Sequence, residues 1–426
     1  MKLIFLTGSR ARAWCAGLAS CALTLGACGD PTAGPEDGGS KADSGTGDTD
    51  GDPGDGDGEG DLGDGDGDLP GEDPCDAPEP GEVCFNDGGF LSLGVPPTTV
   101  IIDHIDADDE LDLLVSSIAA SGLRVVLGLG GGQFAAEPVV TKVGLGVRGL
   151  GTGDFDRDEL TDLAIANIFA PTGTGVAYGD GTGGFAPPPF ASTGETPRAV
   201  AVGLINADEW LDVAVADESG DAVYVLLNDQ SGALPDITSV AVGAEPYDLG
   251  IADLDADGAA DLVTADRVDA TLSVAWGDGA GAFDPVQSEA VGAGPRGLAI
   301  ADLDGDELPD LLTANFDADT ISLVRNLGDR GFAPAESVTV GPEPYAVLAA
   351  DVSGNGRLDL ISADSGADTI TVYPAVDAGY GPPLYFYVGS SPFDLASADF
   401  DGDGRADLAV AVFGAATLTV MLTGAG

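Results

Sequence analysis

The segment IADLDADGAADLV, residues 251–263, places Asp253, Asp255, Asp257 and Asp261 inside a loop that begins and ends as an apolar strand. Carboxylates this close repel one another unless a cation neutralises them. Calcium is a hard cation that takes about six to eight oxygens at roughly 2.3–2.6 Å, and alternate side chains of a tight loop converge on one such ion. Asp253, Asp255 and Asp257 hold loop positions one, three and five. Position seven offers the backbone carbonyl of Ala259, and Asp261 closes the set.

This spacing is that of the first part of an EF-hand loop. It recurs as Asp154, Asp156, Asp158, Asp162; as Asp302, Asp304, Asp306, Asp310; and as Asp399, Asp401, Asp403, Asp407. The sequence therefore predicts four full calcium sites whose ions hold loops together and perform no chemistry. A fifth set, Asp351, Ser353, Asn355, Asp359, keeps oxygen at every place with less charge and is expected to bind more weakly. In the loops 104–112 and 204–212, His104 and Leu204 take position one, so the sets Asp106, Asp108, Asp112 and Asn206, Asp208, Asp212 lack a first ligand. Position six, where a positive φ favours glycine, is Asp109, Glu159, Glu209 or Glu307 in four loops. A non-glycine residue there costs on the order of 1 kcal/mol.

Other chemistry is sparse. His104 is the single histidine, and the chain has no zinc-binding histidine pair, no nucleophile-elbow serine and no thiol pair with metal spacing. The glycine clusters GLGGGQF, GDGTGGF and GDGAGAF precede no helical segment and read as hairpin turns. Trp276 reads as blade packing and Trp210 as exposed. The net charge of −58 repels nucleic acid phosphates and anionic headgroups, so no nucleic-acid partner is expected.

The elements that must position these loops repeat. The closing aspartates Asp112, Asp162, Asp212, Asp261, Asp310, Asp359 and Asp407 are spaced 48 to 50 residues apart. Each period holds a short strand, the acidic loop, two further strands, a glycine turn and a last extended segment. Four short strands per unit of this length signal a propeller blade. A glycine followed by an aromatic marks the outer turn at Phe134, Phe185, Phe283, Phe332 and Tyr380, with Ala233 substituting once and a seventh mark at Phe90. The final repeat stops at TLTVMLTGAG, before its own outer turn, so residues 83–95 are expected to supply the missing strand and close the ring. The expected fold is all-β: a seven-bladed β-propeller of four-stranded blades over residues 83–426, preceded by a disordered acidic linker.

Residues 1–27 carry Lys2, Arg10 and Arg12 ahead of an apolar run, the pattern of an export signal. Leu25, Gly26 and Ala27 before Cys28 resemble a bacterial lipobox. That resemblance implies a lipidated Cys28, membrane attachment through the lipid alone, and an outer-membrane or cell-surface location. Residues 28–82 then read as a disordered, self-repelling Asp/Gly-rich tether. Cys75 and Cys84 suit a disulfide in an oxidising compartment.

The repeated segments GDFDRDELTDLAIA, ADLDGDELPDLLTA and ADFDGDGRADLAVA resemble the FG-GAP and VCBS repeats of integrin-alpha-like propellers. The resemblance covers residues 83–426 and implies seven blades with calcium in acidic loops. It leaves the ligand open, since that family spans adhesion receptors, lectins and some polysaccharide-acting enzymes.

Six residues before each first loop position stand Thr98, Arg148, Arg198, Tyr247, Arg296, Tyr345 and Phe393. Propeller geometry puts these around the axis on the face opposite the loops. They read either as a ring that binds an anionic or sugar-like ligand, or as blade-to-blade packing with arginines paired to neighbouring acids. The expected function is a non-enzymatic binding or adhesion module for an extracellular glycan or protein. A polysaccharide lyase or hydrolase is the alternative, and a structural surface spacer the second.

Overall fold

The structure, a computed structural model, describes residues 82–119 and 122–424. The export signal, Cys28, the tether up to residue 81 and Cys75 lie outside the described residues. Cys84 is disulfide-bonded.

Seven antiparallel sheets form the blades. Blade 1 runs Thr99–Asp103, Asp112–Ser116, Leu123–Val126 and Val139–Thr141 from the axis outward. Blades 2 to 7 start at Val147–Gly153, Pro197–Gly203, Pro246–Ala252, Pro295–Ala301, Pro344–Ala350 and Pro392–Ala398. Each innermost strand packs on the next, and the first packs on the last, so the ring is closed. The seven expected blades are therefore present.

The second strands, such as Asp162–Asn167 and Asp407–Val412, are buried along their whole length. They lie between two neighbouring blades and read as continuous apolar runs, because both faces are covered. The core accordingly divides into seven apolar layers among the described residues, one at each blade interface. Between blades 2 and 3, for example, Phe155, Ala164 and Ala166 meet Val213, Val215 and Leu226.

Closure occurs in blade 7. Phe85–Ser92 pairs antiparallel with Thr417–Thr423, from Phe85 opposite Thr423 to Ser92 opposite Thr417, with a bulge between Asp87 and Gly89. The first and last strands of the propeller thus share one sheet and leave no unpaired seam. Phe90 departs from the expectation: it lies within this strand and is 58% exposed, whereas Phe185 and Phe283 are buried. The bulge shifts the residue pairing and re-aims the side chain.

Blade 2 also departs, with three strands in its sheet. Its outer strand is reduced to one bridge between Thr174 and Ala191. Pro187, Pro188 and Pro189 fall in that segment, and proline has no N–H to give a ladder.

Candidate functional site: acidic loops and an axial funnel

Every acidic loop joins the end of an innermost strand to the start of a second strand, so all seven open on one face. Each closing aspartate is buried at the first position of its second strand. Its two oxygens fasten two distant amides. In Asp261, Oδ2 accepts from Leu254 N at 2.9 Å and Oδ1 from Gly277 N at 2.8 Å. Asp212, in a loop without a first ligand, does the same with Ile205 and Asn228. The closing aspartate is therefore a bracket between the loop and the third strand in every blade, a role the ligand spacing alone did not reveal. Burial pushes these carboxyls up, to about 7 for Asp162 and about 6 for Asp261 and Asp407.

The first aspartate shapes the loop. Asp154 accepts from Asp158 N and Glu159 N at 3.1 and 3.0 Å, and Asp253 from Asp257 N and Gly258 N at 3.2 and 3.0 Å. This ties position six into the left-handed region at Glu159 and Glu307, with φ of 70° and 71°; Glu209, whose loop starts with Leu204, has φ of 65° without such a tie. Asp109 has no positive φ. Its loop starts with His104, whose ring nitrogen Nδ1 meets the carbonyl of Glu110 at 2.8 Å.

Four loops bring three carboxylate oxygens within 4.8 Å of one another: Asp154, Asp156, Asp162; Asp253, Asp255, Asp261; Asp302, Asp304, Asp306; and Asp399, Asp401, Asp407. The residues fit a hard cation. In blade 2, Oδ1 of Asp156 is buried with no hydrogen-bond partner, which is costly for a carboxylate oxygen that nothing neutralises. Burial, then Asp158 and Asp154, raise its pKa.

The four loops are not equivalent. Arg325 pairs with Asp310 at 2.7 Å and approaches Asp304 at 3.9 Å, and Asp310 is not among the clustered oxygens of its loop. Arg330 reaches from blade 5 to Asp255 at 2.6 Å and Asp257 at 3.5 Å in blade 4. In the fifth set, Ser353 donates its hydroxyl to Asp359 at 3.1 Å and Asn355 its amide to Ala375 O at 2.8 Å, so neutral hydrogen bonds organise that loop. The loops at 104–112 and 204–212 are bridged instead to the next blade, Asp106 to Thr182 and Asn206 to Ala280. Trp210 is half-buried beneath Arg157, at 4.4 Å, and Trp276 is buried as expected.

On the opposite face, Thr98, Arg148, Arg198, Tyr247, Arg296, Tyr345 and Phe393 line one cavity of about 130 Å³ on the axis. Spacing alone brought all seven together. Arginine–acid pairs and aromatic contacts are both present there. Arg148 and Arg198 share Glu218, at 2.5 and 3.2 Å. Burial works to raise the Glu218 carboxyl, but the guanidiniums of Arg198 and Arg148 outweigh it and hold its pKa below the usual range. Arg198 lies over the Tyr247 ring, 3.0 Å from its centroid, and reaches the Tyr345 hydroxyl at 3.4 Å. The hydroxyls of Tyr247 and Tyr345 are hydrogen-bonded. Burial raises the pKa of Tyr247.

Arg296 packs on Phe316 at 3.3 Å. Tyr345, Phe393 and Phe413 form a parallel stack with centroid separations of 4.2 and 4.4 Å.

Glu218, Phe316 and Phe413 escaped the sequence reading. Each stands six residues after its closing aspartate, as does Ile118, which lines the cavity. A second search at that phase of the repeat would have found them.

Residues 205–264, 253–313, 302–362 and 351–410 match the FG-GAP-like repeat family. Comparison with curated proteins gave no significant match. Among solved structures, BBS1N in its complex with ARL6DN is similar with a TM-score of 0.55 and 16% identity, over 80% of this chain and 97% of that one. A streptogramin B lyase is similar with a TM-score of 0.53 and 13% identity, over 80% and 97%. Virginiamycin B lyase from Staphylococcus aureus is similar at 0.52 and 14%, over 80% and 99%. At these identities the likeness extends to the fold alone.

Proposed function

The chain is a seven-bladed β-propeller carrying FG-GAP-like repeats, and from that premise we propose that it is a non-enzymatic binding module for an extracellular glycan or protein. In this reading residues 1–27 direct export, a lipidated Cys28 anchors the chain at the cell surface, and residues 28–82 are the tether. Calcium in the loops of blades 2, 4, 5 and 7 stiffens one face, and the funnel on the other face meets the ligand.

One observation carries the reading. Three arginines and three aromatic residues, from six different blades, converge on a single cavity in a strongly acidic chain. Guanidinium donors beside aromatic faces suit polar, planar or sugar-like groups. The ions need supply no chemistry. When bound, calcium neutralises the clustered carboxylates, and the loops fix their geometry through Asp154, Asp253, Asp302 and Asp399.

The test is a glycan array and a purified-partner binding assay with the exported chain, alongside the variant Arg148→Ala, Arg198→Ala, Arg296→Ala. Binding without turnover, lost in a variant that still unfolds cooperatively, is expected. Unchanged binding in that variant removes the funnel from the reading, and product release from a polysaccharide replaces it with an enzyme. Metabolic labelling with palmitate, abolished by Cys28→Ser, tests the anchor.

A further inference from the structure

Two of the three funnel arginines are neutralised inside the chain, and the third is not. Glu218 holds both Arg148 and Arg198. Arg296 has no ion pair or hydrogen bond among the described residues, and its Nε is buried without a partner. Rings surround it instead: its guanidinium carbon is 3.3 Å from the centroid of Phe316, 4.9 Å from Tyr345 and 5.3 Å from Tyr247. The two carboxylates that line the same cavity accept from backbone amides. Asp248 accepts from Leu249 N and Leu298 N, both at 2.9 Å, and Asp394 from Val100 N at 3.0 Å.

Aromatic faces attract a guanidinium but leave its N–H donors unused, and a partly dried donor without an acceptor is costly. The planar fork of arginine matches a carboxylate, which can take two parallel hydrogen bonds. Beside it, Tyr345 and Phe393, which both line the cavity, stack at 4.2 Å, and an aromatic face suits the C–H side of a sugar ring. A cavity of about 130 Å³ admits an end group and not a chain. The net charge of −58 repels a polyanion far more than a ligand with one carboxylate.

We infer that Arg296 receives the carboxylate of a terminal acidic sugar, of the uronic-acid class, seated in the axial funnel. This rests on the proposed reading of the funnel as the binding surface.

The experiment is isothermal titration of the exported chain with methyl glucuronide, methyl glucoside and a short peptide with a free C-terminal carboxylate. The glucuronide is expected to bind at least about tenfold more tightly than the glucoside, a preference lost in Arg296→Lys and Arg296→Gln. Arg296→Lys keeps the charge and loses the planar fork, and an unshifted unfolding midpoint shows that the variant is folded. Equal affinity for the two sugars, a preference that survives Arg296→Gln, or equal binding of the peptide overturns the inference. If the glucuronide fails while a neutral glycan or a protein still binds through Arg148 and Arg198, the acidic sugar alone is wrong. If no ligand depends on the three arginines, the funnel reading falls with it.

Discussion

The loops of blades 2 and 5 carry the same four aspartates at the same spacing and the same strained glutamate at position six, yet they solve the same electrostatic problem differently. In blade 5, Arg325 enters from the third strand and pairs with Asp310. In blade 2, Tyr178 holds the corresponding place, just before the amide that bonds to the closing aspartate, and brings no charge. Asp156 there keeps a buried oxygen with no partner. A ligand spacing therefore names the candidates for a metal site, but a residue some fifteen positions on decides how much charge is left for an ion to neutralise. Blade 4 repeats the lesson across a blade boundary, with Arg330 as the visitor.

The largest effect is expected where the two loops agree. Removing a closing aspartate strands buried amides whether or not an ion binds, so Asp212→Ala in blade 3 and Asp162→Ala in blade 2 should each cost about 3 kcal/mol or more. Urea midpoints with and without calcium check this, and a harmless Asp212→Ala would show that the closing residue matters only as a ligand.

Metal removal should separate the loops. At tenfold excess over its dissociation constant an ion adds about 1.4 kcal/mol per site, so two sites at that excess, in blades 2 and 7, give about 3 kcal/mol. A chelator should lower the unfolding midpoint accordingly, and Asp156→Asn and Asp401→Asn should remove most of that response. Equal losses from Asp255→Asn and Asp304→Asn would erase the distinction. Within the counter-charged pair, Arg325→Leu should raise calcium affinity at blade 5 about tenfold, read as a change in titration stoichiometry at low calcium.

The pH dependence sharpens the same contrast. In metal-free protein, burial lifts Asp162 to about 7, while the pKa of Asp310 is raised by burial against the opposing pull of Asn326 N and Arg325. A carboxyl raised in the folded state holds its proton more tightly there than in the unfolded chain. Its contribution to stability is therefore present at low pH and is lost as pH rises through the folded value. Metal-free protein should lose stability between about pH 4 and pH 7, and carboxyl carbon shifts should place Asp162 near the top of that window. Calcium should flatten the curve, because binding requires the ionised form. The smallest effect concerns backbone alone: Glu159→Gly and Glu307→Gly should each stabilise by up to about 1 kcal/mol, since both residues have positive φ.

Much of the architecture is legible in the residues. The period of the closing aspartates sets the number of blades, and the truncated last repeat points to Phe85–Ser92 as the strand that completes blade 7. The ring from Thr98 to Phe393 is readable because every blade places the same phase of its repeat at the same radius and face. Three things are not. Phe90 keeps its sequence mark but is turned outward by a bulge, and blade 2 loses its outer strand to three prolines. Arg325 and Arg330 enter the sites through the tertiary fold. Their side chains carry no repeat and bond to residues 15 and 75 positions away.

Sequence by itself determined what repeats: the blade count, the closure and the two opposed faces, because periodic apolar strands can bury both sides only by stacking into a ring. Only the tertiary structure decided which charges meet. Pairing across blades depends on the radius and tilt of neighbouring sheets, and a single arginine arriving from the next blade leaves no periodic trace in the chain.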